Sequence, residues 1–286
     1  MFFARCWGRL LLEMKNHTLA QDARRKETGF VGFFDILGYK SFLESGISEV
    51  AFKVVEILAQ LPNKVEESVS KHIGNGPVTD VQWALKRVMP LVVSDSILLR
   101  LSYDENHDHD KKSVQAAAFI VTASILQRMM FEEGLPLRGA IAFGDFIFAN
   151  HVFAGKPIVD AYYLGHSLNL AACAIHETAG NEFKRLVSNS HKCKGFLSDG
   201  LHLVQYPVPL KKAEMDLQLL CLNLAWPTLK GYKPLKERKN LQQYVLEQFS
   251  AHNKQVGMNE IPKVENTENF LRFLEKRFPY LFDRDP

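Results

Sequence analysis

The hydrophobic pattern of the chain predicts short strands that alternate with longer helices. Residues 30–34 form an apolar run that ends at Asp35 and turns at Gly38, which is typical of a buried strand followed by a tight turn. The apolar run 91–101 is interrupted by Ser94, Asp95 and Ser96, so it predicts a hairpin with a carboxylate at its tip. Two further strand-like segments follow at 135–148 and 217–224.

The helix-like segments lie between and after these strands. Residues 41–61 carry one apolar face and stop at Pro62, and a long helix is expected from a cap at Ser113 to Gly134. The predicted elements that follow are a turn at 154–157, a helix at 159–180, and amphipathic helices at 241–249 and 269–278. Gly139 and Gly144 mark places where the backbone comes close to another backbone or a ligand.

The composition of the chain limits the classes of protein to which it can belong. At 286 residues, 47% hydrophobic and 23% charged, the chain is long enough to bury the core of one elaborated domain. The net charge of +3 is too small to indicate a nucleic-acid partner. Four cysteines without CxxC spacing indicate neither zinc nor disulfides, so we expect a cytoplasmic protein. We expect no membrane association, because no apolar run is long enough to span a bilayer.

Asp35 and Asp95 are the candidate chemical groups. Each is predicted at the end of a strand, and two strands that bring one carboxylate each to the same end of a sheet make a two-carboxylate metal site. Backbone amides in the turn at Gly38 suit phosphates carried by such a metal. The alternative is that each Asp only caps a turn or a helix, which is the commoner role of an isolated Asp at a strand end.

The order of these motifs resembles that of the class III nucleotidyl cyclases. The stretches FFDILGYKSFLE, VVSDSILL and LPLRGAIAFG are most similar to the bacterial pyrimidine cyclases of the Pycsar anti-phage systems, and the resemblance covers 29–175. It implies an α+β fold, an α/β sandwich with a βαββαβ ferredoxin-like core and C-terminal helical additions. We therefore expect a lead at 1–28, a catalytic domain at 29–235 and a helical extension at 236–286 packed on the same domain.

The resemblance also implies a reaction and a cofactor. Such enzymes close a nucleoside triphosphate into a 3′,5′-cyclic monophosphate and release pyrophosphate, with two divalent ions, here preferably Mn²⁺. Asp35, Asp95 and the backbone carbonyl of Ile36 are the metal ligands that it implies. The residues that it assigns to the phosphates are Phe34, Leu37, Gly38 and Tyr39.

Several positions depart from the family pattern. Asn169 fits the residue that orients the ribose, but Cys173 stands where the transition-state Arg is expected, and Arg138 or a Lys of TLKGYKPLK is the candidate replacement. Leu91 and Tyr162 occupy the base-reading positions and cannot supply the Lys/Asp pair that reads adenine. This favours UTP or CTP as substrate, with uridine slightly preferred. An adenylate cyclase and a non-catalytic nucleotide-binding dimer module remain alternatives.

The resemblance further implies partners. Cyclases of this fold act as head-to-tail homodimers with shared sites, so Leu91, Tyr162 and Asn169 are expected to point away from their own Asp35 and to serve the partner's metals. In Pycsar systems the cyclic nucleotide activates a separate effector during phage infection. The expected partners are thus the nucleotide, a second copy of the chain and that effector.

Overall fold

The structure is a computed structural model that describes residues 26–39, 48–72, 83–104, 106–149, 152–190, 193–212, 215–226 and 240–283. Its first half contains β1 (Lys26–Ile36), α1 (Ser48–His72), β2 (Met89–Val93), β3 (Ser96–Ser102), α2 (His109–Glu132) and β4 (Leu137–Ala149). These six elements follow one another in the predicted βαββαβ order. The spatial order of their strands is β2-β3-β1-β4 with every neighbour antiparallel, so the ferredoxin-like core is confirmed.

The second half extends the same sheet. It contains β5 (Val152–Gly155), α3 (Lys156–Ser167), β6 (Cys173–Ile175), α4 (Glu177–Asn189), α5 (Lys194–Leu197), β7 (Leu203–Val208), β8 (Leu217–Leu222), α6 (Leu241–Ser250), α7 (Ile261–Arg277) and α8 (Pro279–Asp283). Strand β6 adds parallel to β4, and β8 and β7 follow it. The result is a mixed α+β fold, as expected from the sequence.

The two faces of β1 pack against different helices. The ring of Phe30 stacks on Phe119 of α2 and Phe183 of α4, with ring centroids 5.7 and 5.2 Å apart. Phe33 instead packs with Ala140 and with Ala161 of α3. Because side chains alternate along a strand, Asp35 lies on the α3 face together with Phe33. The sheet is therefore covered by α2 and α4 on one side and by α3 on the other.

Helix α2 lies inside the domain. Among the described residues it is the one helix long and apolar enough to cross a membrane, yet 94% of its apolar window is buried by the rest of the fold. It begins at His109 with Asp108 as its cap, four residues before the predicted start at Ser113. Its composition reflects a position in the core rather than in lipid.

The prediction of one helix at 159–180 is wrong. Helix α3 ends at Ser167, β6 follows at Cys173, and α4 begins at Glu177. Residues 170–175 are all buried, and β6 pairs with both β4 and β8, so the environment overrides the helical propensity of the alanines. The predicted turn at 154–157 is likewise replaced by the end of β5 and the start of α3.

The prediction that the first helix stops at Pro62 is wrong, because α1 runs through Pro62 to His72. The other predicted strands and the helix at 241–249 agree with the structure within a few residues. The hairpin, β4 and the strand at 217–224 are confirmed, although the hairpin begins at Met89, and helix α7 begins at Ile261. At Gly139 an added Cβ would lie 2.3 Å from the Phe33 carbonyl oxygen, so the predicted close backbone approach is confirmed there. The lead before Lys26 and TLKGYKPLK lie outside the described residues.

The C-terminal helices contact the sheet domain at specific points. The Tyr244 hydroxyl of α6 donates to Glu132 at 2.8 Å, and Asn266 Nδ2 of α7 donates to the Asn169 carbonyl at 2.9 Å. Thr267 of α7 accepts from the Ala171 amide at 2.8 Å. These contacts tie α6 and α7 to the end of α2 and to the loop between α3 and β6.

Candidate active site

The two predicted metal carboxylates lie at the same end of the sheet. Asp35 is at the end of β1 opposite Ser96, the first residue of β3, and Asp95 is in the two-residue turn between β2 and β3. The Ile36 amide donates to the Asp95 carbonyl at 3.0 Å, which joins the hairpin tip to the end of β1. The turn is tight, with Ser94 at φ 56°. The structure thus brings Asp35 and Asp95 together, as the sequence predicts.

Asp35 is buried in an ion pair with Arg138. The antiparallel register of β1 and β4 places the two residues opposite each other, and an Arg138 Nη2 hydrogen donates to Asp35 Oδ2. Arg138 Nη2 also lies 3.4 Å from His166 Nδ1 of α3. The Nε atom of Arg138 is buried and has no hydrogen-bond partner among the described residues. A guanidinium with an unused buried donor beside a carboxylate suits an anionic ligand.

Lys211 adds a second cation to this end of the sheet. Its amide donates to the Ser167 carbonyl at 2.9 Å, which holds the turn after β7 against the end of α3. Burial, and then the positive charges of Arg138 and Lys263, lower the pKa of Lys211 to about 8. An anion bound near these cations would favour the charged form of Lys211.

His166 lies among these charges. Burial lowers its pKa, the carboxylate of Asp35 opposes that shift, and the charges of Arg138 and Lys211 add to it. Asp95 also acts on His166, so the two aspartates, Arg138, His166 and Lys211 form one electrostatic cluster. We call these five residues the charged cluster.

The oxygen ligands of the charged cluster fit a hard divalent ion. Arg138 occupies only Oδ2 of Asp35, which leaves Oδ1, and Asp95 is half-buried at the neighbouring tip. Carboxylate oxygens of this kind suit Mg²⁺ or Mn²⁺. The described residues contain no group of three or more His, Cys, Asp or Glu side chains placed to hold a metal. Because two carboxylates do not fill the coordination shell of such a metal ion, its further ligands would come from the backbone and from a substrate.

The predicted phosphate turn needs two corrections. Phe34 is fully buried and paired within the ladder on both sides, which removes it from the phosphate-binding set. The Leu37 amide donates to the Pro136 carbonyl at 2.9 Å and is therefore occupied. Gly38 has φ 79° at the exposed part of the turn and packs against the side chain of Lys254. Gly38 and Tyr39 remain as the candidate phosphate-binding positions.

The proposed base-reading residues lie on the same face as their own Asp35. The ring of Tyr162 is 5.2 Å from that of Phe33 and 4.3 Å from that of His166. Leu91 packs partly buried against the cluster that contains Phe33. The expectation that Leu91 and Tyr162 point away from their own metal site is therefore wrong. The error arose because α3 crosses back over β1 and β4, which the sequence does not reveal.

Asn169 and Cys173 have different surroundings. The Asn169 amide donates to the Pro209 carbonyl at 2.9 Å, so the residue lies in the loop between α3 and β6, next to the turn that carries Lys211. Cys173 is in β6 opposite Gly139 and is fully buried. Burial raises the pKa of the Cys173 thiol. A neutral buried thiol cannot replace an Arg at a developing negative charge.

Sequence reasoning missed His166 and Lys211. His166 falls within the segment GHSLN beside the predicted Asn169, so its neighbours were a usable signal. Lys211 lies in a polar turn between two strands, where a Lys is ordinary, and its approach to Arg138 depends on the path of the whole second half. Arg138 was predicted as a replacement for the transition-state Arg, and the structure places it in contact with Asp35.

Comparisons with known proteins find likenesses among solved structures. No protein-family profile matches the chain, and no curated protein matches it. Among solved structures the chain is similar to the adenylyl cyclase CyaB from P. aeruginosa, with 16% identity and a TM-score of 0.35. The match covers 70% of this chain and 95% of that chain.

Proposed function

We propose that the protein is a metal-dependent nucleotide cyclase. The observation that carries the proposal is the meeting of Asp35 and Asp95 at one end of a βαββαβ sheet, with Arg138, His166 and Lys211 around them. Carboxylates that hold cations and nearby side chains that hold anions are what a triphosphate with its metals requires. The motif order read from the sequence supports the same class.

The residues of the charged cluster would have different roles in such a reaction. Two divalent ions, preferably Mn²⁺, would favour the alkoxide of the ribose 3′-hydroxyl and stabilise the leaving pyrophosphate. Asp35, Asp95 and the Ile36 carbonyl would hold them. Arg138 and Lys211 would bind phosphate oxygens, and their positive charge would stabilise the transition state in place of the absent Arg at Cys173. The turn at Gly38 and Tyr39 would position the β and γ phosphates.

The substrate that we propose is a pyrimidine nucleotide, UTP before CTP. Leu91 and Tyr162 cannot make the charged contacts that read adenine, whereas the ring of Tyr162, next to His166, offers a stacking surface and a hydroxyl for a small base. Asn169 would orient the ribose. The similarity of the sequence motifs to the Pycsar cyclases supports a cyclic pyrimidine messenger in anti-phage defence, which acts on a separate effector.

We also propose a homodimer. Helix α3 exposes Val159, Tyr162 and Tyr163, of which Tyr163 is 68% exposed, beside the charged cluster. The edge hairpin exposes Val93, which the register places on the same face of the sheet as Asp35. Large apolar side chains grouped next to a binding site are typical of a protein interface. A second copy related by a twofold axis would cover them and close the site.

The direct test of the proposed function is the removal of each carboxylate. We expect Asp35→Ala and Asp95→Ala to lose at least 100-fold in Mn²⁺-dependent formation of cyclic nucleotide, because no neighbouring oxygen replaces either ligand. The matched control is Asp145→Ala, an exposed aspartate at the other end of the sheet, which should keep wild-type turnover. Wild-type turnover in either cluster variant would remove that residue from the site.

A further inference from the structure

A second charged cleft lies at the end of the sheet opposite Asp35. It has a volume of about 960 Å³, and its walls come from the start of β1, the end of β3, residues 86–89, the first turn of α2 and helix α4. Thr28 lines it, and Thr28 is seven residues from Asp35 on the same strand. At about 3.3 Å per residue this separates the cleft from the charged cluster by roughly 23 Å.

The cleft carries more positive than negative charge. Lys26, Lys86, Arg87, Arg100, Lys112 and Arg185 line it together with the acids Glu27, Asp104 and Glu182. The acids neutralise part of this charge, since Arg100 lies 3.1 Å from Glu27 and Arg185 lies 2.6 Å from Glu182. The two arginines are thereby held in place along the wall.

Three cations in the cleft have no carboxylate partner among the described residues. Lys86 and Arg87 come from the segment before β2, and Lys112 comes from the first turn of α2. The guanidinium of Arg87 lies 4.4 Å from the ring centroid of Trp83, and Lys112 Nζ lies 5.8 Å from that of Tyr103. Cations that converge on a concave site from separate elements concentrate positive potential there.

Tyr103 provides a buried donor in the same wall. Its hydroxyl is buried beside the carboxylate of Glu182, which accepts its hydrogen bond. Burial, and then the charge of Glu182, raise the pKa of Tyr103 well above its ordinary value, so the phenol keeps its proton. The neutral phenol adds no negative charge to the cleft.

We propose that this cleft binds a small molecule that carries two or more phosphate groups, separately from the substrate. Lys86, Arg87 and Lys112 supply the unneutralised positive charge that would bind the phosphate oxygens. Arg100 and Arg185, each held by its own carboxylate, present their remaining N–H groups from a fixed position. The size of the cleft suits a polyphosphate or a nucleotide rather than an extended polymer.

The test is a calorimetric titration of the full chain with inorganic tripolyphosphate in EDTA, so that no metal-dependent turnover takes part. We expect binding that weakens as salt is raised, and at least a tenfold loss of affinity in the triple variant K86Q/R87Q/K112Q. The three side chains lie at the surface, and an unchanged thermal unfolding transition would show that the variant is folded. A parallel titration with UTP tests whether the bound phosphates belong to a nucleotide. Tighter binding of UTP than of tripolyphosphate would show that the nucleoside is also recognised.

The control variant removes the same number of positive charges outside the cleft. The variant K156Q/K194Q/K276Q neutralises three exposed lysines outside the cleft and should bind within twofold of wild type. Equal losses in the two triple variants would mean a response to net charge only, and would overturn the proposal. An affinity lost in Arg138→Gln but kept in K86Q/R87Q/K112Q would assign the anion to the charged cluster instead. Absence of tripolyphosphate binding to the wild type would also overturn the proposed second binding site, whatever the outcome for cyclase activity.

Discussion

At the scale of single residues, Lys254 is a buried lysine whose amine donates to backbone carbonyls. Its Nζ donates to the Gly134 carbonyl at 2.7 Å and to the Gln248 carbonyl at 3.2 Å, and its stem packs on Gly38. Burial lowers the pKa of Lys254 to about 7. The residue thus links the C-terminal segment to the turn next to the charged cluster.

The lowered pKa predicts how stability depends on pH. Between pH 7 and 10 the unfolded chain keeps the Lys254 proton while the folded chain loses it, so stability should rise with pH across this window and fall as pH drops towards 7. The effect is on the order of 2 to 4 kcal/mol at most. Lys254→Met should remove this part of the slope in urea unfolding measured from pH 7 to 10.

The control for this prediction is Lys276→Met, an exposed lysine of α7 that should leave the slope unchanged. Parallel stability curves for wild type and Lys254→Met would show that Lys254 is charged in the folded protein. The comparison uses the slope rather than the absolute stability, because the variant also leaves two carbonyls without their donor.

Sequence reasoning identified the residues whose role depends on local context and missed those that depend on distant contacts. Asp35 and Asp95 each end or interrupt a strong apolar run, so their positions at strand ends could be read directly. Lys211 could not be found in that way. Its neighbours Arg138 and Ser167 are far from it in sequence and come close to it only in the folded chain.

At the scale of elements, α7 supports the loop that carries Asn169. Thr267 is fully buried, donates to the Lys263 carbonyl at 2.6 Å and accepts from the Ala171 amide at 2.8 Å. Ala171 lies between Asn169 and β6, so this hydrogen bond fixes the backbone after the proposed ribose-orienting residue. An extension with no chemical signature thereby positions part of the candidate site.

We therefore expect Thr267→Val to destabilise the protein by about 1 to 3 kcal/mol, because it leaves the buried Ala171 amide without an acceptor. Thermal or urea unfolding measures this loss. Thr122→Val is the matched control, since the Thr122 hydroxyl is buried and donates to the Ala118 carbonyl of its own helix at 2.8 Å. Equal effects of the two substitutions would argue against a special role of the Ala171 contact.

Elements were predicted correctly where a single hydrophobic pattern dominated. They were predicted wrongly where contacts with distant parts of the chain determine the secondary structure. The β1 and hairpin predictions rest on apolar runs and turn residues, and both are confirmed. The segment 168–175 is rich in alanine and suggests a helix, but its last residues complete the sheet between β4 and β8. Because the pairing partners of β6 are more than thirty residues away on each side, local propensity could not reveal that strand.

At the scale of the whole molecule, a site completed by one chain differs from a site completed by two chains in what it predicts. Tyr162 and His166 lie on the same face as their own Asp35, which allows a self-contained site. The exposed apolar side chains of α3 and the hairpin favour a second copy over that face. A dimer in which Asn169 of one copy serves the metals of the other makes a distinctive prediction for mixtures of inactive variants.

Mixing Asp35→Ala with Asn169→Ala should restore activity, because one interface then pairs an intact metal half with an intact ribose half. At full subunit exchange, recovery should approach about a quarter of wild type, since half the dimers are mixed and each has one working site. Asn169→Ala keeps the backbone bonds of Asn169 to Pro209 and Asn266, so the variant should fold. A mixture that exchanges subunits and stays inactive would show that each chain completes its own site.

The central claim is tested most directly by incubating the purified protein with Mn²⁺ and an equimolar mixture of ATP, GTP, CTP and UTP, and identifying the products by mass spectrometry. We expect 3′,5′-cyclic UMP as the main product, cyclic CMP next and little from the purines, with no product from Asp35→Ala. Predominant cyclic AMP would contradict the pyrimidine assignment. Absence of every cyclic product, from protein shown to be folded and to bind Mn²⁺ and nucleotide, would contradict the cyclase itself.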